Sequence, residues 1–219
     1  RRVAEGLRGI LRVLNSNRPI DEVLHYIAEQ ACDLMDAAAS IIHHVQLEQN
    51  RVVIEASCGL PGHTDGAKRT TRLYDGYADR AIFRGEPYAI SDLPAYLAEL
   101  DTPAGAELDE GERIWRASLK PAIGRVPLGA FLAAPLLVGG QVYGSIVVYY
   151  HHPREFSDDD MSLAVALGDQ VSLAIENATL RTKAAESAVA GERNRLARDL
   201  HDAVTQTLFS ASLIAEVLP

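Results

Sequence analysis

Of the seven histidines in the chain, His201 has the neighbours that chemistry on an imidazole needs. It lies in the stretch Glu192 to Leu208, Glu-Arg-Asn-Arg-Leu-Ala-Arg-Asp-Leu-His-Asp-Ala-Val-Thr-Gln-Thr-Leu. Asp202 follows directly, and a positioned carboxylate can accept a ring proton and make the other ring nitrogen a better nucleophile. Gln206, one helical turn beyond Asp202, brings an amide that can orient a water. Together these groups equip the stretch to take a phosphoryl group onto histidine and later to help remove one. Ala197, Leu200, Val204, Thr207 and Ala211 recur at 3-4 spacing, which predicts a helix with a narrow apolar seam suited to other helices. His201 follows a seam position, so its ring is expected at the edge of the packed stripe, open to water. Arg198 and Thr205 share its ridge, and Asp202 and Gln206 form a second polar ridge beside it.

The pattern Glu-Arg-x-Arg-Leu-Ala-Arg-Asp-Leu-His-Asp-x-Val-x-Gln-x-Leu resembles the phosphoacceptor box of two-component sensor histidine kinases, in the variant paired with NarL-type response regulators. The resemblance implies that His201 is the phosphoacceptor and Asp202 the base assisting its phosphorylation. It implies that Gln206 positions water for dephosphorylation of the partner regulator. Two rival readings stand beside it: a non-catalytic ligand-binding dimerisation module whose histidine is incidental, and a haem or redox sensor.

Composition narrows the alternatives. The chain is 47% hydrophobic and 23% charged, enough for one sizeable domain with an extension. A net charge of -9 argues against binding nucleic acid, which needs a basic face. Cys32 and Cys58 form no CxxC pair and no metal-finger spacing with histidine, so neither a disulfide framework nor a structural zinc is expected. The longest apolar stretches, near Phe131 to Val138 and Gly144 to Tyr150, are too short to span a membrane, and no signal peptide is visible. A chain that starts at Arg1 and carries a helical pattern to Pro219 reads as a segment of a longer protein. It is expected in the cytoplasm, with membrane anchoring of the parent left open. No P-loop pattern occurs, so ATP and magnesium are expected from a separate catalytic domain.

The elements that position His201 follow from periodicity. Val3, Leu7, Ile10, Leu11 and Leu14 predict an N-terminal helix weakened by Gly6 and Gly9. Pro19 opens a second helix, with Asp21 and Glu22 at its positive end and Ile20, Val23, Leu24, Ile27, Ala28, Ala31, Leu34 and Met35 on its buried face. Ser40 to Leu47 and Arg51 to Ser57 predict a hairpin that puts His43 and His44 on opposite faces. The polar segment to Thr71, containing His63, reads as a mobile loop. A short helix is expected over 74–83 and a brief strand over 88–91. Residues 92–128 carry four prolines and several glycines, and read as an irregular insertion, a lid or a binding loop, with one helix near Glu110 to Leu119. Trp115 lies in that loop, where it either covers a ligand or fills the core. Ala130 to Val138 and Gln141 to Tyr149, joined by Gly139-Gly140, predict the clearest hairpin. Ser157 caps a final helix that opens on Asp158, Asp159 and Asp160.

That order resembles a GAF domain, together with Asp75-Gly-Tyr-Ala-Asp-Arg-Ala-Ile-Phe-Arg-Gly-Glu-Pro-Tyr-Ala-Ile-Ser-Asp92, Ala134-Pro-Leu-Leu-Val-Gly-Gly-Gln-Val-Tyr-Gly-Ser145 and Phe156-Ser-Asp-Asp-Asp. The resemblance implies an α+β fold: a central antiparallel sheet, helices on one side forming a dimer bundle, and a small-molecule pocket on the other. The expected organisation is an N-terminal helix and linker over 1–18, a GAF sensory domain over 19–180 and a linker helix over 181–191. The first helix of a dimerisation and phosphoacceptor domain follows over 192–219. The implied partners are a second copy of the chain, a NarL-type response regulator and an unidentified small-molecule ligand. Haem ligands, in the rival reading, would come from His63, His151 or His152.

A route for the signal is also predicted. Ala164, Leu167, Val171, Ala174 and Ala178 keep one 3-4 frame and the phosphoacceptor helix keeps another, so either a dimer seam shifts across the alanine-rich join Thr182 to Gly191 or the first stripe faces the core of the GAF domain. Occupancy of the pocket is expected to change helix rotation across that join.

Overall fold

The computed structural model describes residues 2–14, 16, 18–60, 69–72, 85–123 and 127–217. Arg1 to Glu176 form one compact unit and Asn177 to Pro219 a second. The predicted helix over 74–83 and His63 lie outside the described residues.

Helix α1 (Arg2–Leu14) places Ile10 and Leu14 in the core of the first unit. Its glycines leave room for a neighbour: a Cβ at Gly6 would meet the Leu34 side chain at 2.6 Å. Helix α2 (Ile20–Met35) starts after Pro19, whose φ of -55° suits the position. It ends where Asp36 adopts the left-handed conformation and Ala37 N–H closes on the Cys32 carbonyl at 2.9 Å.

Six strands form one antiparallel sheet: β1 (Ala39–Gln46), β2 (Arg51–Cys58), β3 (Arg69–Arg72), β4 (Tyr88–Ile90), β5 (Ala130–Val138) and β6 (Gln141–Tyr150), in the order β3-β2-β1-β6-β5-β4. Strand β3 corrects the loop expected up to Thr71, because Arg69–Arg72 pairs with residues 51–54 of β2. Its sequence, Arg-Thr-Thr-Arg, has no apolar alternation, and only an edge position tolerates such a strand. The β5–β6 hairpin turns at Gly139 and Gly140, with φ of 60° and 76°, values that glycine adopts without strain.

Alternation along the strands divides the core between the two sheet faces. Leu132, Ala134 and Leu136 join Ile42, Ile146, Leu24, Ile27 and the helix residue Leu167 on one face. Phe131, Ala133 and Val147 join Ile90, Leu93 and Leu97 on the other, with Trp115 packed against them. The irregular loop expected over 92–128 is instead largely helical: α3 (Leu93–Ala98), a 3-10 turn at Glu99–Asp101, α4 (Pro103–Ala106) and α5 (Glu110–Ile123). Two of the four prolines that suggest irregularity, Pro94 and Pro103, begin helices here. Asp92 caps α3 by accepting Ala95 N–H at 2.9 Å, and Thr102 caps α4. Trp115 therefore fills a core.

Helix α6 (Asp158–Val217) runs through both units. Ser157 and Asp160 begin it reciprocally: Ser157 N–H donates to Asp160 Oδ2 at 2.9 Å, and Asp160 N–H to Ser157 Oγ at 3.2 Å. Ala164, Leu167, Val171 and Ala174 are all buried in the core of the first unit. Of the two faces open to this stripe, a dimer seam or the domain core, it takes the second; a helix lying on a sheet shows the same 3-4 spacing as one lying on a partner helix. No described helix is long and apolar enough to cross a membrane.

Candidate functional site

His201 sits on α6 with an exposed side chain, and Gln206 is exposed one and a half turns further on. Asp202 belongs to the same helix by its backbone; its side chain lies outside the description. Thr205 Oγ donates to the His201 carbonyl at 2.8 Å, and Arg198 Nε donates to the Asn194 carbonyl at 3.3 Å, so both flanking residues lean back along the ridge. One turn earlier, Arg195 bridges Glu192 at 2.6 Å and Asp199 at 3.6 Å. The Arg195 hydrogen bond holds the Glu192 carboxyl below its usual range, and the same bond raises the arginine. Beside these charges Leu196, Leu200 and Val204 are 49%, 66% and 56% exposed. Four-residue steps place them along one stripe of apolar surface next to the histidine, the arrangement of a helix that packs against others.

The first unit has a candidate of a different kind. A groove of about 720 Å³ opens between β4 and α3, lined by Tyr88, Ile90, Asp92, Tyr96, Glu99 and Thr102. Behind it Arg116, only 6% exposed, stacks over the Tyr96 ring at 3.8 Å. Its guanidinium donates to Glu112 at 2.7 Å, to the Tyr96 carbonyl at 2.8 Å and to Glu99 at 2.5 Å. Burial alone would lower the Arg116 pKa, but the carboxylates of Glu112 and Glu99 outweigh it and hold it above its ordinary value. Tyr96 also donates its hydroxyl to Glu112. The network pins α3 to α5. The i,i+4 pair Glu112 and Arg116 was visible in the sequence, whereas Tyr96 and Glu99 are about 20 residues away and carried no signal.

The other histidines are placed apart. His44 stacks on Tyr143 at 3.9 Å and meets Glu55 at 3.3 Å. His25 pairs with Glu29 on the outside of α2 at 3.4 Å. His151 and His152 are exposed at the end of β6, with His151 Nδ1 3.0 Å from the Pro127 carbonyl. None of these lines the groove. Among the described residues, no three His, Cys, Asp or Glu side chains converge as a metal site would need.

A helix-flanked antiparallel sheet continuing into a long helix with an exposed histidine is the arrangement that the resemblances to a GAF domain and to a phosphoacceptor box imply. The comparisons with known proteins agree. Residues 17–176 match the GAF domain family and residues 192–219 the Histidine kinase family. The first match covers well over half of the chain, which belongs to the GAF domain family. Over 82 residues the chain is 35% identical to the sensor histidine kinase YhcY of Bacillus subtilis (strain 168), a match covering 37% of this chain and 22% of that protein. The fold is similar to the GAF domain of a Coxiella burnetii phosphoenolpyruvate-protein phosphotransferase (TM-score 0.60, 21% identity, 84% of this chain and 96% of that one). It is also similar to the phycoerythrobilin-bound GAF domain of a cyanobacterial phytochrome (TM-score 0.62, 12% identity, 82% and 97%). The two family matches give a GAF sensory domain followed by the phosphoacceptor and dimerisation region of sensor histidine kinases.

Proposed function

We propose that the chain is the sensory and phosphoacceptor segment of a two-component histidine kinase in which a cue at the GAF domain controls phosphorylation of His201. The observation that carries this reading is the exposed imidazole on α6, flanked by the apolar stripe Leu196, Leu200 and Val204, inside the region that matches the Histidine kinase family. In this mechanism one His201 ring nitrogen attacks the γ-phosphorus of ATP held with magnesium by a separate catalytic domain. A P–N bond forms as the bond to the departing ADP oxygen breaks, and the proton on the other ring nitrogen passes to the Asp202 carboxylate. The phosphoryl group then moves to a carboxylate of a NarL-type response regulator, and Gln206 orients the water that later hydrolyses it. Two copies of the chain bury the stripe against each other. Because ATP is a cytoplasmic substrate, we assign the segment to the cytoplasm. The groove at Tyr88 and Tyr96 is the candidate for small-molecule input.

The test is transfer of labelled phosphate from ATP in the full-length parent. His201→Gln should remove the acid-labile label altogether, and Asp202→Asn should slow its appearance by roughly 10²-fold or more. Gln206→Ala should leave labelling intact and slow loss of phosphate from the regulator. Equal labelling of wild type and His201→Gln overturns the assignment and leaves a ligand-binding dimer module.

A further inference from the structure

The outer edge of β5 is covered in an unusual way. Strand β4 pairs only with residues 131–133, opposite Ile90, Ala89 and Tyr88, so the edge beyond Ala133 has no strand partner among the described residues. An uncovered edge leaves backbone N–H groups unsatisfied, and on this edge they belong to every second residue. At the first such position stands Pro135, which has no N–H. At the second, Leu137 N–H donates to Ser172 Oγ at 2.9 Å; at the third, Gly139 N–H donates to Glu176 Oε1 at 2.7 Å. Ser172 and Glu176 lie on α6 one turn apart. One turn before them is Gly168, where a Cβ would lie 2.8 Å from the Pro135 carbonyl.

Residues 168, 172 and 176 of α6 therefore meet Pro135 and Leu137 of β5 and Gly139 of the turn one for one. The spacings permit it: four helix residues rise about 6.0 Å and two strand residues about 6.6 to 6.8 Å. A register slip between Leu136 and Leu137 adds Tyr143 to the opposing strand at this point, which turns the hairpin tip relative to the rest of the sheet. Glu176 is also the last residue of the first unit, and the helix that carries it continues to Val217.

We propose that Ser172 and Glu176 are positioning residues that fasten the tip of the β5–β6 hairpin to α6, so that a disturbance of the hairpin reaches the helix over residues 177–190. The inference rests on the signalling role given to α6 above and adds the point in the sensory domain where the helix is held. Glu176 is the adjustable end: its carboxylate is at the surface, whereas Ser172 is buried at 7% exposure.

Amide hydrogen exchange on the 219-residue chain tests it. Glu176→Ala removes an exposed acceptor without opening the core. It should speed exchange of the Gly139 amide by about tenfold and also speed exchange across residues 177–190. Glu176→Gln keeps an oxygen acceptor in place and should restore both. Faster exchange at Gly139 with unchanged exchange over 177–190 overturns the coupling, as does failure of Glu176→Gln to restore it. In the full-length parent, Glu176→Ala should change the rate of His201 labelling at least about threefold, with Glu176→Gln at the wild-type rate. If the wild type takes no label, the kinase reading fails while the exchange result still decides the clamp.

Discussion

A guanidinium with almost no access to water is stable only when its donors are matched, and Arg116 is held by Glu112, Glu99, the Tyr96 carbonyl and the Tyr96 ring. Arg116→Ala leaves Glu112 at 18% exposure with its charge uncompensated and should cost about 3 to 5 kcal/mol, read as a shift in the urea midpoint. At the start of α6 the Asp160 carboxyl is pushed up by burial, but hydrogen bonds from Ser157 and the charge of Arg154 outweigh this and hold it below its ordinary value. A depressed carboxyl stabilises the fold above its unfolded pKa of about 3.9, and that contribution is lost as pH falls through the folded value. Thermal scans between pH 5 and pH 2 should therefore show a smaller acid loss in Asp160→Asn than in wild type. Burial, with the neighbouring Cys58 adding to it, pushes the Cys32 thiol up to about 12 despite a hydrogen bond from Ser40. At pH 8 Cys32 therefore stays a thiol, so it should resist iodoacetamide in the native state and react readily in urea. The exposed, helical setting of His201 was legible in the sequence because spacing along one helix alone fixes which neighbours share its ridge. The Arg116 network was not, because Tyr96, Glu99 and Arg116 meet only after α3 and α5 have packed.

At the scale of elements, the strongest determinants are the stripe on α6 and the hairpin joined by Gly139 and Gly140. Leu167, 1% exposed, packs between helix and sheet, and Leu167→Ala should destabilise the first unit by about 3 kcal/mol in equilibrium unfolding. Periodicity located the helices over 20–35 and 158 onward and the strands β1, β2, β5 and β6, since each has a buried face that must repeat at its own period. It missed β3, whose Arg-Thr-Thr-Arg sequence is held by backbone pairing alone, and it read α3 and α4 as loop because their prolines open helices. It left the Ala164 to Ala174 stripe open between a dimer seam and the domain core. Helical spacing states that a face is buried and not what buries it, and here the sheet does.

For the whole molecule, the exposed Leu196, Leu200 and Val204 have no cover among the described residues. Changing Leu200 and Val204 together to glutamate should turn a dimer into a monomer in native mass spectrometry, while far-ultraviolet circular dichroism of the GAF domain is retained. Inserting one residue within 184–190 turns everything beyond it by about 100° and should change the rate of His201 labelling in the parent. The three meeting points between α6 and the β5 arm of the hairpin, the last of them at the turn, also behave as a vernier. The two scales differ by about 0.6 to 0.8 Å at each step, so coincidence lasts only a few divisions before the marks fall out of line. The next mark on the helix is Leu180, 64% exposed, and on the strand there is none, because the chain has already turned at Gly139 and Gly140.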